Sequence, residues 1–451
     1  MMLLRCLCAP GATLRGFIGL FVLATLWSIA GTADILIMPS SLYPVHRYTM
    51  RVLAEELVKR GHDSKLSLPS DVHETFWRIS SSNPEIRDLY LHRNHSVHSR
   101  IWTTDFSDDA ERTTAWLASI EMCDQKFTAV IIDDLYNPCG LLLAGLQKTP
   151  FIYWSMSALR TESAWAHQSP SPPSYLPVPG SWLTDDLSFL QRYYNFASYF
   201  RALFIHQHLI LRRIDKLFKK YYGDLLPEAF YIERNASVNF VNTPQIFDFA
   251  RPYMPRVTFV GGIQCRNATP LTGDLRTFVD ESDEENGFVL FTVGFTGQWK
   301  FAPKDIIESF VQAFAELPEK RFIWQYNGPN IPNLPSNVYI AEWLPQQNLL
   351  ESVWHGVPVI GIPLTTAGYD NLLRLTARDV GIFLRKQNLN KESIKDAIRE
   401  IYNPKYKKEM LTFQDMLVDV PYTELNHSAF WVEFIERHNE VCTNYYYSLL
   451  I

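Results

Sequence analysis

Between Gly287 and Asn371 the chain carries GFVLFTVGFTGQ, FIWQYNGPN, NVYIAEWLPQQNLL and ESVWHGVPVIGIPLTTAGYDN. The first, third and fourth of these pieces each hold a short run rich in Val, Ile and Phe. A continuous apolar run is how a parallel strand buried on both faces reads. Each run closes on a Gly, Pro or Thr turn that leads into helix-like sequence. This spacing predicts a Rossmann-like half, whose ligands sit at the carboxyl ends of the strands.

The amino-terminal half repeats the alternation. Residues 34–39 (DILIMP) read as a buried strand and 48–60 as a helix closed by Gly61. Residues 111–122 read as a helix. Residues 127–132 (FTAVII) read as a strand with Asp133 and Asp134 at its carboxyl end. A helix from Cys139 and a strand at 150–153 (PFIY) follow. The pattern predicts an α/β chain with doubly wound sheets. At 451 residues the chain suits two domains of about 200 residues each. A hydrophobic share of 47% is ample for two cores and excludes the disordered class. A net charge of −6 with no basic block excludes a nucleic-acid partner.

Residues 1–33 read as a secretory signal. Arg5 and Arg15 supply positive charge, residues 16–30 are apolar, and Gly31-Thr32-Ala33 offers a cleavage site before Asp34. The competing reading is an uncleaved anchor. Sequons at Asn94, Asn235, Asn267 and Asn426 fit a lumenal or secreted chain. Cys6 and Cys8 leave with the signal. Cys123, Cys139, Cys265 and Cys442 show no zinc spacing and are expected as buried thiols. The chain ends in TNYYYSLLI, short of the ~20 apolar residues that span a bilayer. That ending leaves open a soluble lumenal protein or a truncated product.

Residues 169–179 are rich in Pro and Ser and read as a loop. Residues 185–222 read as a long helical region, aromatic on one side and basic at Arg212, Arg213, Lys216, Lys219 and Lys220. One reading is an amphipathic surface touching the bilayer. The favoured one is a helix pair covering the sheet, with a solvated charged face. A final helix over 422–438 carries Phe430, Trp431, Phe434 and Ile435 on one face.

Four further pieces carry a family likeness in order: PCGLLLAGL at Pro138, PPSYLPVPGSWLTDDLSFLQR from Pro172, VTFVGGIQC at Val257 and AFWVEFIERH at Ala429. With the 287–371 stretch, they make the chain resemble the UDP-glycosyltransferases, the animal UDP-glucuronosyltransferases in particular. The resemblance implies two Rossmann-like domains facing each other across a cleft, the GT-B arrangement. Residues 34–250 would bind the acceptor, 251–286 link, and 287–421 bind the UDP-sugar. Residues 422–451 would pack back on the first domain. The implied reaction moves a glucuronosyl or glucosyl group from UDP to a small lipophilic acceptor, with inversion. It needs no cofactor beyond the UDP-sugar co-substrate and no metal. The implied place is the endoplasmic reticulum lumen, membrane-associated or secreted, with homo- or hetero-oligomers of family members as partners.

By the same resemblance His46, just after the first strand, is the catalytic base. Its orienting carboxylate is Asp133 or Asp134: counting from Phe127 favours the first, counting back from Pro138 the second. Trp343 and Gln346 of WLPQ match the uridine site, Gly294 a glycine turn at the donor, and Asp370 with Asn371 a helix start near the ribose or sugar. Three departures stand against activity. Leu350 runs directly into Glu351, so roughly 18 residues, one strand and most of a helix, are absent from a parallel sheet. The absent turn is the one that would hold the diphosphate on a helix N-terminus. The family's sugar-reading Asp-Gln pair is Ala367-Gly368, and its Leu-Gly-Ser turn is Val293-Gly294-Phe295. The alternatives are an impaired family member that binds or dimerises, and a splice or gene-model variant.

Overall fold

The computed structural model describes residues 33–39, 44–62, 127–134, 138–265, 270–282, 287–294, 297–342, 344, 354–364 and 366–438. Residues 1–32 of the leader, the expected helix at 111–122, Phe295 and the 350–351 junction lie outside the described residues.

The first half runs β1 (Ile35–Met38), α1 (Pro44–Lys59), β2 (Ala129–Asp133), α2 (Pro138–Gln147), β3 (Phe151–Ser155) and α3 (Thr161–Ala166). Helix α4 (Phe189–Phe204) continues through a π-helical segment (Ile205–Leu211) into α5 (Arg212–Tyr222). Then come α6 (Ala229–Arg234), β4 (Val238–Val241) and β5 (Val257–Phe259). The five strands pair in parallel in the order β1-β2-β3-β4-β5. Every residue in them is buried. Successive strand residues point to opposite faces, so the sheet feeds two cores. Ile35, Ile37, Ile131, Ile152 and Trp154 pack with Met50, Leu53 and Leu57 of α1. Leu36, Val130, Ile132 and Tyr153 pack with Leu141 and Leu143 of α2 and Phe218 of α5.

The second half runs α7 (Gly273–Asp280), β6 (Phe288–Phe291), α8 (Lys304–Ala315), β7 (Arg321–Gln325), β8 (Val338–Ala341), β9 (Val359–Gly361) and α9 (Thr366–Thr376). It ends with β10 (Gly381–Phe383), α10 (Lys391–Ile401), α11 (Pro404–Val418) and α12 (Glu424–Arg437). Among the described residues its strands form two pieces, a three-stranded sheet β6-β7-β8 and a pair β10-β9, all parallel. A doubly wound sheet has the order 3-2-1-4-5-6. Strands β8, β7 and β6 follow its first three places, while β9 and β10 pair only with each other among the described residues. Strands β6 and β9 contain no fully buried residue. One aromatic core still joins the pieces: Trp299, Phe310, Phe314 and Trp324 pack with Phe291 of β6, Ile360 of β9 and Ile382 of β10.

Helix α12 crosses to the first half, where Ala429, Val432 and Ile435 pack among Ile35, Met50 and Leu53. Its buried face is narrower than its aromatic residues suggested, since Phe430 is exposed. Cys265, expected as a buried thiol, is a thiol that is half-exposed. No helix among the described residues is long and apolar enough to cross a membrane.

Candidate active site

His46 is the third residue of α1, which opens on Pro44, a residue suited to a first helical turn because its missing N–H has no partner there anyway. Asp133 is the last residue of β2. The helix start and the strand end bring His46 Nδ1 within 2.6 Å of Asp133 Oδ2. Asp133 is 0% exposed. An ionised carboxylate only accepts; opposite one, Nδ1 is the donor, and a neutral ring then carries its lone pair on Nε2.

Asp134 is turned the other way, as the neighbour of Asp133 on an extended backbone must be. Its Oδ2 accepts from Ser155 Oγ at 2.6 Å and Ser163 Oγ at 3.3 Å, and lies 3.4 Å from Arg160 Nε. Burial raises the Asp134 pKa above its ordinary 3.8, against the pull of Arg160. Behind it Ser155 Oγ also reaches Asn239 Oδ1 at 3.1 Å, and Asn239 Nδ2 lies 3.1 Å from His167 Nδ1. Burial, with Arg256 nearby, lowers the His167 pKa to about 3, so this imidazole stays neutral. Thus of the two aspartates weighed from the sequence, Asp133 meets the histidine and Asp134 belongs to a buried polar network.

In the second half Gly294 follows β6 with φ +65°, in the left-handed region open to glycine. Its N–H donates to Thr292 Oγ1 at 3.0 Å, and Thr292 in turn bonds Gln325 Oε1 at the end of β7. Asp370 lies on α9 and is buried. Both its carboxylate oxygens accept from the N–H of Gly180, each at 3.0 Å. Next to it Tyr369 stacks on Trp182, ring centroids 5.0 Å apart. Asn371 is exposed. Trp343 and Gln346 lie outside the described residues, as do Asn94 and Asn267. Asn235 is exposed in the turn that ends α6, whereas Asn426 lies within α12 with its Oδ1 accepting from Arg60 Nη2 at 2.7 Å.

The family model for "UDP-glucoronosyl and UDP-glucosyl transferase" matches residues 117–441. The chain belongs to this family. It is 29% identical to human 2-hydroxyacylsphingosine 1-beta-galactosyltransferase, over 92% of this chain and 82% of that one. It is 26% identical to human UDP-glucuronosyltransferase 2B17, over 93% of this chain and 87% of that one. Among solved structures it resembles the calicheamicin glycosyltransferase CalG4, with TM-score 0.56, 16% identity, and coverage of 90% of this chain and 99% of that one. It also resembles a UDP-glucosyltransferase from Polygonum tinctorium, with TM-score 0.54 and 17% identity. These likenesses give the GT-B fold.

This UDP-glycosyltransferase also holds its halves together through residues that sequence reasoning passed over. Arg374, buried on α9, donates Nε and Nη2 to Asp248 Oδ1 at 3.2 and 3.1 Å and Nη1 to the Asp370 carbonyl at 2.9 Å. Arg378 Nη2 donates to the Asp248 carbonyl at 2.8 Å. Phe247 packs beside them against Val380 and Met410. The available signal was Arg374 itself, a cation inside the apolar run LLRLT of an amphipathic helix. Nothing in the sequence pointed to Asp248 as its partner.

Proposed function

We propose that this UDP-glycosyltransferase transfers a glucuronosyl or glucosyl group from a UDP-sugar to the hydroxyl of a small lipophilic acceptor, inverting the anomeric carbon. The observation that carries the reading is the 2.6 Å contact between His46 Nδ1 and the buried Asp133 carboxylate. With Nδ1–H held by Asp133, the Nε2 lone pair takes the acceptor's proton as its oxygen attacks the anomeric carbon from the face opposite UDP. The bond from that carbon to the β-phosphate oxygen breaks, and its electron pair leaves with UDP. Asp133 stabilises the imidazolium formed. Gly294, Asp370 and Asn371, with Trp343 and Gln346, are the donor-side residues of this reading. The UDP-sugar is the sole co-substrate of this reading. The leader-like residues 1–33 and the exposed Asn235 support an endoplasmic reticulum lumen location, membrane-associated or secreted.

The test is transfer from UDP-glucuronate, UDP-glucose and UDP-galactose to a panel of phenols and long-chain alcohols. UDP-galactose belongs in the panel because a relative's name specifies galactosyl transfer. Transfer that is lost in His46→Gln and Asp133→Asn, with melting unchanged, supports the reading. A melt raised by UDP-sugars with no transfer to any acceptor overturns it in favour of a binding partner.

A further inference from the structure

Beside the His46–Asp133 pair lies a second carboxylate, and the structure grips it at three points. Asp134 is the first residue past β2. Its N–H donates to the Trp154 carbonyl at 3.0 Å, which continues the ladder to β3. Its own carbonyl accepts from Arg160 Nη2. Its Oδ2 accepts from Ser155 Oγ at 2.6 Å and lies 3.4 Å from Arg160 Nε. One guanidinium thus reaches both the backbone and the side chain of Asp134, a two-point grip that suits its planar fork. Arg160 is the N-cap residue of α3, yet its side chain makes no cap bond. It reaches back to the end of β2 instead.

The direction of Asp133 depends on this grip. Successive residues of an extended chain face opposite ways, so a rotation of the chain at 134 swings the Asp133 carboxylate off His46 Nδ1. Fixing the N–H, the carbonyl and the carboxylate of Asp134 prevents that rotation. Charge acts the same way. Asp133 is 0% exposed and the Asp134 side chain 7%. Neighbouring buried carboxylates repel each other, and Glu162 Oε1, 3.6 Å from Arg160 Nε, adds a third. Arg160 is a cation set among all three. Burial raises the Asp134 pKa, Arg160 lowers it, Asp133 raises it, the Ser155 bond lowers it and Glu162 raises it. Without Arg160 only the Ser155 bond opposes the raising causes. A protonated Asp134 carries a donor where it now only accepts, and the turn loosens.

We propose that Arg160 is a positioning residue for the His46–Asp133 pair: it clamps Asp134 and thereby keeps the Asp133 carboxylate aimed at His46 Nδ1. Arg160 acts through Asp134 and touches no reacting atom. Its part in turnover rests on the reading of His46 as the base, whereas its part in ordering the pair can be measured without any sugar donor.

The test compares Arg160→Gln, Arg160→Lys and the double variant Asp134→Asn/Arg160→Gln in the full chain. The first readout is the downfield proton resonance of His46 Nδ1–H, the mark of a short bond to a carboxylate, assigned by its loss in His46→Gln. It should be lost in Arg160→Gln and return in the double variant, which leaves no unpaired carboxylate at 134. The second readout is transfer from UDP-glucose, UDP-glucuronate or UDP-galactose to a phenol. Arg160→Gln should lower kcat about 10²-fold with KM within about twofold, and the double variant should regain about tenfold or more. Arg160→Lys keeps the charge without the fork, so it should fold even where Gln does not, weaken the resonance and cost about tenfold in kcat. Either single variant that matches the unsubstituted chain in both readouts overturns the proposal. So does an equal loss in the Gln variant and the double variant with a matching fall in melting temperature, which would make Arg160 a structural support only. An unsubstituted chain that shows the resonance but transfers no sugar overturns the functional reading instead, and the resonance in the variants still decides whether Arg160 orders the pair.

Discussion

The two halves of this UDP-glycosyltransferase share a plan and differ in completeness. In the first, five adjacent parallel strands are buried along their whole length, and the carboxyl end of β2 presents Asp133 to His46. In the second, the strands among the described residues form a group of three and a pair, and β6 and β9 are half-exposed. The difference teaches that side-chain packing can join strand groups that share no backbone pairing among the described residues. The aromatic cluster around Trp299 and Trp324 spans both pieces by side-chain packing, which is non-directional, where backbone pairing is not. The groups proposed to handle the proton, His46 and Asp133, are in the first half. Ala367 and Gly368, where the resemblance would place an Asp-Gln pair, are in the second.

The largest expected effects break the comparison at its two active ends. His46→Gln or Asp133→Asn should lower kcat by about 10²–10⁴-fold with little change in melting. Ala367→Asp with Gly368→Gln should raise turnover by up to about 10²-fold if the divided half limits the enzyme. A steady-state assay on all variants checks both. If the base variants keep full turnover, the assignment of chemistry to the first half is wrong.

Next is the join. Asp248→Ala leaves Arg374 buried without its carboxylate, which should cost about 3–5 kcal/mol. Calorimetry should show a lower melt, with the two halves unfolding separately rather than together. A single unchanged transition would mean that the Phe247 contacts suffice alone.

A smaller, paired effect measures the halves directly. Ile131→Ala in β2, fully buried, should cost about 2–5 kcal/mol. Ile360→Ala in half-exposed β9 should cost roughly half as much. Equal losses in chemical denaturation would show that β9 is covered as fully as β2.

The smallest effect is a pH slope. Burial alone would lower the His206 pKa, but the charge and hydrogen bond of Glu233 outweigh it and hold the folded value above 6.5. The stability this contributes is therefore full below pH 6.5 and is lost as pH rises through the folded value. His206→Gln should flatten the melting temperature across that window. A slope unchanged by the substitution would assign it to another group.

Much of this molecule could be read in one dimension. The strands were legible because a doubly buried parallel strand is a continuous apolar run. The position of His46 was legible because it follows the first run directly. The choice between Asp133 and Asp134 was not, since counts from two ends differed by one residue and one residue reverses the face of a strand. The Asp248–Arg374 pair was not legible either, because its partners are 126 residues apart and nothing local couples them.

What the sequence alone determined is the α/β alternation, the family and the amphipathic character of the 185–222 rod. Local periodicity and motif order carry those. The tertiary structure alone decided which aspartate meets His46, how the halves are pinned, and that the aromatic face of α4, from Phe189 to Phe204, points outward. A helical apolar stripe is the same string whether it faces a core or leaves one. Here Asn195 had three backbone groups of the 173–178 loop to satisfy. Leaving those buried polar groups without partners would cost about 1–3 kcal/mol each.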